Sequence, residues 1–128
     1  MDFVDTNVFV YAVGRPHPLR EDAQARLRAA LADGVPLATS AEVLQELLHI
    51  YLPVGRIETL DAALRLASDL TTIWPIEASD VRAARDLAAS QPGLSARDLL
   101  HLATCRRYGA RGLMSFDRGL VAAFSPRP

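Results

Sequence analysis

The residues of this chain with chemistry to offer are acids, and Asp98 is the sharpest case. Ser95 reads as the cap of a helix running to Tyr108. With Asp98 at the origin of its wheel, Leu102 falls at about 40°, Leu99 at about 100°, Ala103 at about 140° and Cys105 at about 340°. Asp98 therefore lies inside the apolar arc, where a bare carboxylate is costly unless paired or bound to a cation. Ser95-x-x-Asp98 also resembles a capping box, with Asp in place of the usual Glu. Capping alone gives no reason for the acid to point at the core.

A second helix, from Thr39 or Ser40 to about Leu52, offers two acids. With Val43 at the origin, Glu46 falls at about 300°, on the edge of the apolar arc, and Glu42 at about 260°, beside His49 and Gln45 on the polar side. Thr39-x-x-Glu42 makes a capping box, so Glu42 has a structural explanation and Glu46 has none. Asp5 and Asp117 complete the set. Asp5 closes the strand Asp2–Asp5, and Asp117 follows the strand Gly112–Phe116. In open parallel sheets, sites form at the carboxyl ends of strands. Each of these aspartates could equally cap the helix after it.

Other chemistries find no support. His17 lies between prolines, His49 on a polar helix face and His101 at the edge of its apolar arc, so all three read as surface or boundary residues. None has the i, i+4 partner of a zinc helix, and a single cysteine supplies no thiolate site. There is no GxxxxGK[ST] loop, GxGxxG turn or GxSxG elbow, and no lysine at all. What remains is an all-oxygen donor set, suited to Mg²⁺ or Mn²⁺. Crowded carboxylates repel one another until a hard divalent ion relieves them, and such ions activate water and stabilise a leaving oxygen at a phosphodiester.

The elements that would position these acids alternate. A turn or helix is expected over Thr6–Val13, then a break at Gly14–Pro18, a helix over 19–33, a strand over Val35–Ala38 and the helix to about Leu52. Helix 57–71, a strand Ile73–Ile76 in which Pro75 favours an edge position or the strand end, a helix from Ser79 to about Ser90, the Ser95–Tyr108 helix and a short Asp117–Ala123 helix follow. This order predicts an α/β fold with a short central parallel sheet covered by helices. With 128 residues, 50% of them hydrophobic, the chain reads as a single domain over 1–128.

All 14 basic residues are arginines and the net charge is −1. Setting the four acids aside leaves 11 acids against 14 arginines, a mildly positive remainder. Arginine suits phosphate through its planar fork. Arg15, Arg97 and Arg118 lie near the acids and are candidate substrate contacts. The opening MDFVDTNVFV lacks a basic leader, and no apolar run is long enough to span a bilayer. A soluble, cytoplasmic protein is expected.

DTNVFVYA, ATSAEVLQELL, LSARDLLHLA and MSFDRGL, in this order, resemble the four signature segments of PIN-domain proteins, and most nearly those of VapC-type toxins of toxin–antitoxin pairs. The resemblance maps the family's four acids onto Asp5, Glu46, Asp98 and Asp117. Thr6, Asn7 and Ser115 become supporting residues, with Ser115 placed to orient an acid or a bound water. It implies a three-layer α/β/α PIN-like fold and a Mg²⁺- or Mn²⁺-dependent endoribonuclease acting on tRNA or other structured RNA. It also implies a VapB-like antitoxin partner and a homodimer. Only 11 residues follow Asp117, none of them acidic, so a final strand would be very short. Two alternatives remain open: a catalytically silent PIN-like interaction module, and a metal-dependent phosphohydrolase acting on a non-RNA phosphoester.

Overall fold

The computed structural model describes residues 1–124. In chain order the elements are β1 (Asp2–Val4), α1 (Thr6–Val13), α2 (Arg20–Ala32), β2 (Leu37–Ser40), α3 (Ala41–Tyr51) and α4 (Ile57–Leu70). Then come β3 (Thr71–Trp74), α5 (Ala78–Leu87), α6 (Ala96–Tyr108), β4 (Gly112–Met114) and α7 (Arg118–Ala123). The strands form one sheet in the order β3-β2-β1-β4, with every pairing parallel. The expected α/β fold with its short parallel sheet is therefore present.

The chain steps from β1 to β2 to β3 in one direction, then crosses back to place β4 on the far side of β1. Right-handed crossovers put α1–α4 on one face of the sheet and α5 and α6 on the other. Packing agrees: α1 contacts α2, α3 and α4, while α5 packs on α6. The reversal falls between β1 and β4, which opens a crevice at their carboxyl ends.

The core on the α6 side is aromatic. Phe3 stacks on Trp74 with centroids 6.0 Å apart, and Trp74 stacks on Tyr108 at 4.6 Å. Phe9, Val8, Val43, Leu47, Ala63 and Ala67 are fully buried among α1, α3 and α4. Cys105 is buried as well, and desolvation pushes its thiol up to about 12, so it behaves as a small apolar side chain. A polar clamp locks α5 to α6. The Arg107 guanidinium donates to Asp80 Oδ1 at 2.6 Å and Oδ2 at 2.9 Å, and the Glu77 N–H donates to Oδ2 at 2.8 Å. Burial pushes the Asp80 carboxyl upward, but these donors outweigh it and hold the group below its ordinary value. α6 ends at Gly109, whose φ of 68° lies in the left-handed region that favours glycine.

Several boundaries differ from expectation. β2 spans 37–40 and not 35–38, so Thr39 is a strand residue whose hydroxyl donates to the Val4 carbonyl at 2.8 Å. Ser40 is the cap of α3, accepting from Val43 N–H. The capping box assigned to Thr39 and Glu42 does not exist. β3 begins two residues earlier than expected, because Thr71 leaves α4 directly into extended backbone. β3 occupies a sheet edge and stops at Trp74, just before Pro75, so it does not reach Ile76. α5 is capped by Glu77, not Ser79, in a reciprocal capping box with Asp80, and it ends at Leu87. A short final strand in the tail would fall on 125–128, outside the described residues. Among the described residues no helix is long and apolar enough to cross a membrane.

Candidate active site

Asp5, Glu46, Asp98 and Asp117 line one cleft of about 250 Å³, together with Thr6, Asn7, Val10, Tyr11 and Ile50. They arrive from four segments. Asp5 lies just past β1, which stops at Val4 and not at Asp5 as expected, and Asp117 follows β4, so the two neighbouring strands at the reversal each deliver an aspartate to the same edge. Asp98 sits in the first turn of α6 and Glu46 in the middle of α3. Helices that follow or precede parallel strands bring their N-termini to the carboxyl edge, which is why a first-turn acid reaches this cleft.

The choice between cap and site for Asp5 and Asp117 dissolves, because both residues cap a helix and line the cleft. Asp5 Oδ1 accepts from Thr6 N–H at 2.7 Å, and Asp117 Oδ1 accepts from Leu120 N–H at 3.0 Å. Capping fixes each carboxylate at a helix N-terminus, where the backbone favours negative charge.

Ser115 is the hub between them. Its hydroxyl donates to Asp5 Oδ2 at 2.7 Å and its oxygen accepts from Asp117 N–H at 3.0 Å and Asn7 Nδ2–H at 3.4 Å. Asn7 Oδ1 accepts in turn from Phe116 N–H at 3.2 Å, tying α1 to the segment after β4. Thr6 adds a second link: its hydroxyl donates to Glu46 Oε2 at 2.6 Å.

His101 was missed from sequence. It is not a boundary residue but only 1% exposed, and its Nε2 lies 2.9 Å from Glu46 Oε1 and 3.7 Å from Asp5 Oδ1. One donor-type atom from each of Asp5, Glu46 and His101 lies within 4.8 Å of the others. The signal was available, since His101 is three residues after Asp98 and therefore on the same side of α6. His17 and His49 are exposed, as expected.

The carboxyls are not electrostatically equal. Burial raises Asp5 above its ordinary value despite His101, Ser115 and Thr6. Burial also raises Asp98, followed by repulsion from Asp117, and Asp5 adds further repulsion. For Glu46, burial pushes upward, but hydrogen bonds from His101 and Thr6 and the charges of His101 and Arg97 bring the net shift downward. Glu42 does not line the acid cleft; burial and then Glu46 raise its carboxyl. Arg15, Arg97 and Arg118 are all exposed. Arg97 follows the start of α6 beside a neighbouring apolar groove, and Arg118 opens α7.

An oxygen-lined cleft whose acids repel one another at the reversal point of a small parallel sheet is the architecture of a PIN-type nuclease domain. The PIN domain family matches residues 3–123, and the chain belongs to that family, within its VapC-type toxin ribonucleases. It is 57% identical over 124 residues to Ribonuclease VapC23 of Mycobacterium tuberculosis, covering 97% of this chain and 98% of that one. It is 43% identical over 120 residues to Ribonuclease VapC13 of the same organism, covering 93% and 92%. The crystal structure of Mycobacterium tuberculosis VapC20, described as a Sarcin-Ricin loop cleaving toxin, superposes with a TM-score of 0.78 at 23% identity, covering 96% of this chain and 95% of that one. That likeness supports the three-layer fold.

Proposed function

We propose that the chain is a Mg²⁺- or Mn²⁺-dependent endoribonuclease, the toxin of a VapBC-type pair, with Asp5, Glu46, Asp98 and Asp117 as its catalytic acids. The observation that carries this reading is the convergence of four acids on one cleft, two of them with carboxyls raised by burial and like charge. The donor set fits a hard divalent cation, because it offers carboxylate oxygens and no thiolate. When bound, such an ion supplies Lewis-acid activation of water and offsets charge on the scissile phosphate.

The chain's own residues do the positioning. Ser115 holds Asp5 and the Asp117 backbone, Asn7 braces the segment that carries Asp117, and Thr6 fixes one oxygen of Glu46. Arg15, Arg97 and Arg118 are exposed cations for RNA phosphates approaching an acidic cleft. The names of the relatives support RNA as the substrate class, and tRNA or another structured RNA is the finer reading. A VapB-like antitoxin that covers the cleft, a homodimer and a cytoplasmic setting belong to the same proposal.

Mapping cut RNAs after expression of wild type and Asp98→Asn tests it. Metal-dependent cuts present only with wild type are expected. Equal cutting by both proteins would sink the assignment of the acids. No cutting of any RNA by wild type would favour the silent module, and turnover of a non-RNA phosphoester would favour the other phosphohydrolase.

A further inference from the structure

We propose that His101 is a positioning residue for the acid cluster: it holds Glu46 in the arrangement that receives a divalent cation, without touching the cation itself. The inference rests on the metal-dependent reading above. An ionised carboxylate only accepts hydrogen bonds, so at 2.9 Å Nε2 must carry the proton and donate it to Glu46 Oε1. Thr6 Oγ1–H donates to the other oxygen, Oε2, at 2.6 Å. Glu46 is thus gripped by one donor on each oxygen, from α1 and from α6, and its remaining lone pairs stay free for the cleft.

The grip is built to be rigid. The His101 ring is almost fully buried and lies against Phe3, with ring centroids 5.5 Å apart. Its Nδ1 has no hydrogen-bond partner among the described residues, so Nε2 is the ring's only polar tie to the protein. A structural histidine with no duty toward the acids would satisfy Nδ1 or yield the place to an apolar residue, because an unpaired buried nitrogen costs stability. Direct ligation is disfavoured by the same geometry, since Nε2 would have to give up its proton and its bond to Glu46. Metal sites commonly have a carboxylate behind a ligating histidine; here the order is reversed, with a histidine behind ligating carboxylates.

The experiment compares Mn²⁺ binding, without RNA, by full-length wild type, His101→Gln, His101→Asn and His101→Leu, with thermal melts to check folding. Gln places its N–H where Nε2 lies, whereas Asn is too short and Leu has none. His101→Gln is expected to bind close to wild type, and His101→Asn and His101→Leu to lose about 10–100-fold in affinity. If His101→Leu fails to fold, the Gln and Asn pair decides, because both are polar amides that differ in reach. Nitrogen NMR of the wild-type ring is expected to show a protonated Nε2 in the metal-free protein. Equal Mn²⁺ affinity across the substitutions, an unprotonated Nε2, or histidine nitrogen coupled to bound Mn²⁺ in pulsed EPR would each overturn the proposal. Wild type that binds Mn²⁺ while the substitutions change nothing removes only the positioning role. Wild type that binds none removes the metal-dependent reading with it.

Discussion

Ser115 and Asp5 are 110 positions apart in sequence and 2.7 Å apart in space. Their bond joins the ends of two neighbouring strands, and the same serine oxygen receives the Asp117 amide. One hydroxyl thereby sets the separation of two of the four acids.

Ser115→Ala removes the donor that lowers Asp5, so the Asp5 carboxyl, already raised by burial, rises further. Cations need it ionised, so the loss of Mn²⁺ affinity on acidification is expected to begin at higher pH than in wild type. Titrating Mn²⁺ at a series of pH values checks this; superimposable pH profiles would contradict it.

Asp98→Asn is expected to abolish RNA cleavage and yet leave the metal-free protein at least as stable as wild type near neutral pH. A carboxyl whose folded value is raised above its ordinary one lowers stability as pH climbs through that interval, and Asn escapes this effect. Urea midpoints in the presence of EDTA provide the measurement, and a clear drop for the variant would show that Asp98 is chiefly structural.

Glu46→Gln is expected to be far more damaging to cleavage than Glu42→Gln. Glu46 lines the cleft and accepts two side-chain hydrogen bonds, whereas Glu42 is absent from the cleft. The reverse ranking of rates would place the chemistry elsewhere.

Adding divalent ion should stabilise the protein. At free ion about 100-fold above its dissociation constant the gain is about 2.7 kcal/mol. Melts with Mn²⁺ and with EDTA should separate accordingly for wild type. The gap should narrow for Asp5→Asn.

The Asp80–Arg107 clamp predicts an acid-sensitive link between α5 and α6. Asp80 is held below its ordinary value of 3.8, so its contribution is complete above that value and fades as pH falls through the lower folded value. Asp80→Asn is expected to destabilise at neutral pH and to differ less from wild type in strong acid, as read by urea unfolding at both.

Much of this site was legible because helices report their faces. The wheel separated Glu46 from Glu42 and turned Asp98 inward, and the cleft contains Glu46 and Asp98 without Glu42. The stated reason for setting Glu42 aside did not hold, since Thr39 belongs to β2 and Ser40 does the capping. A three- or four-residue strand has too few alternations to mark its own limits, and Thr-Ser can be strand or cap with equal propensity. His101 escaped for a different reason. Periodicity ranks a residue by its neighbours on one helix, whereas the partners of His101 come from α3 and from the end of β1.

β1 lies between β2 and β4, and β4 is the last strand of the described chain. Until residues 112–117 have left the ribosome, β1 is an open edge, Asp5 lacks its serine donor and the fourth acid does not exist. A growing chain therefore passes through synthesis with its acid cluster unassembled, and strand order alone makes that cluster one of the last parts of the fold to close.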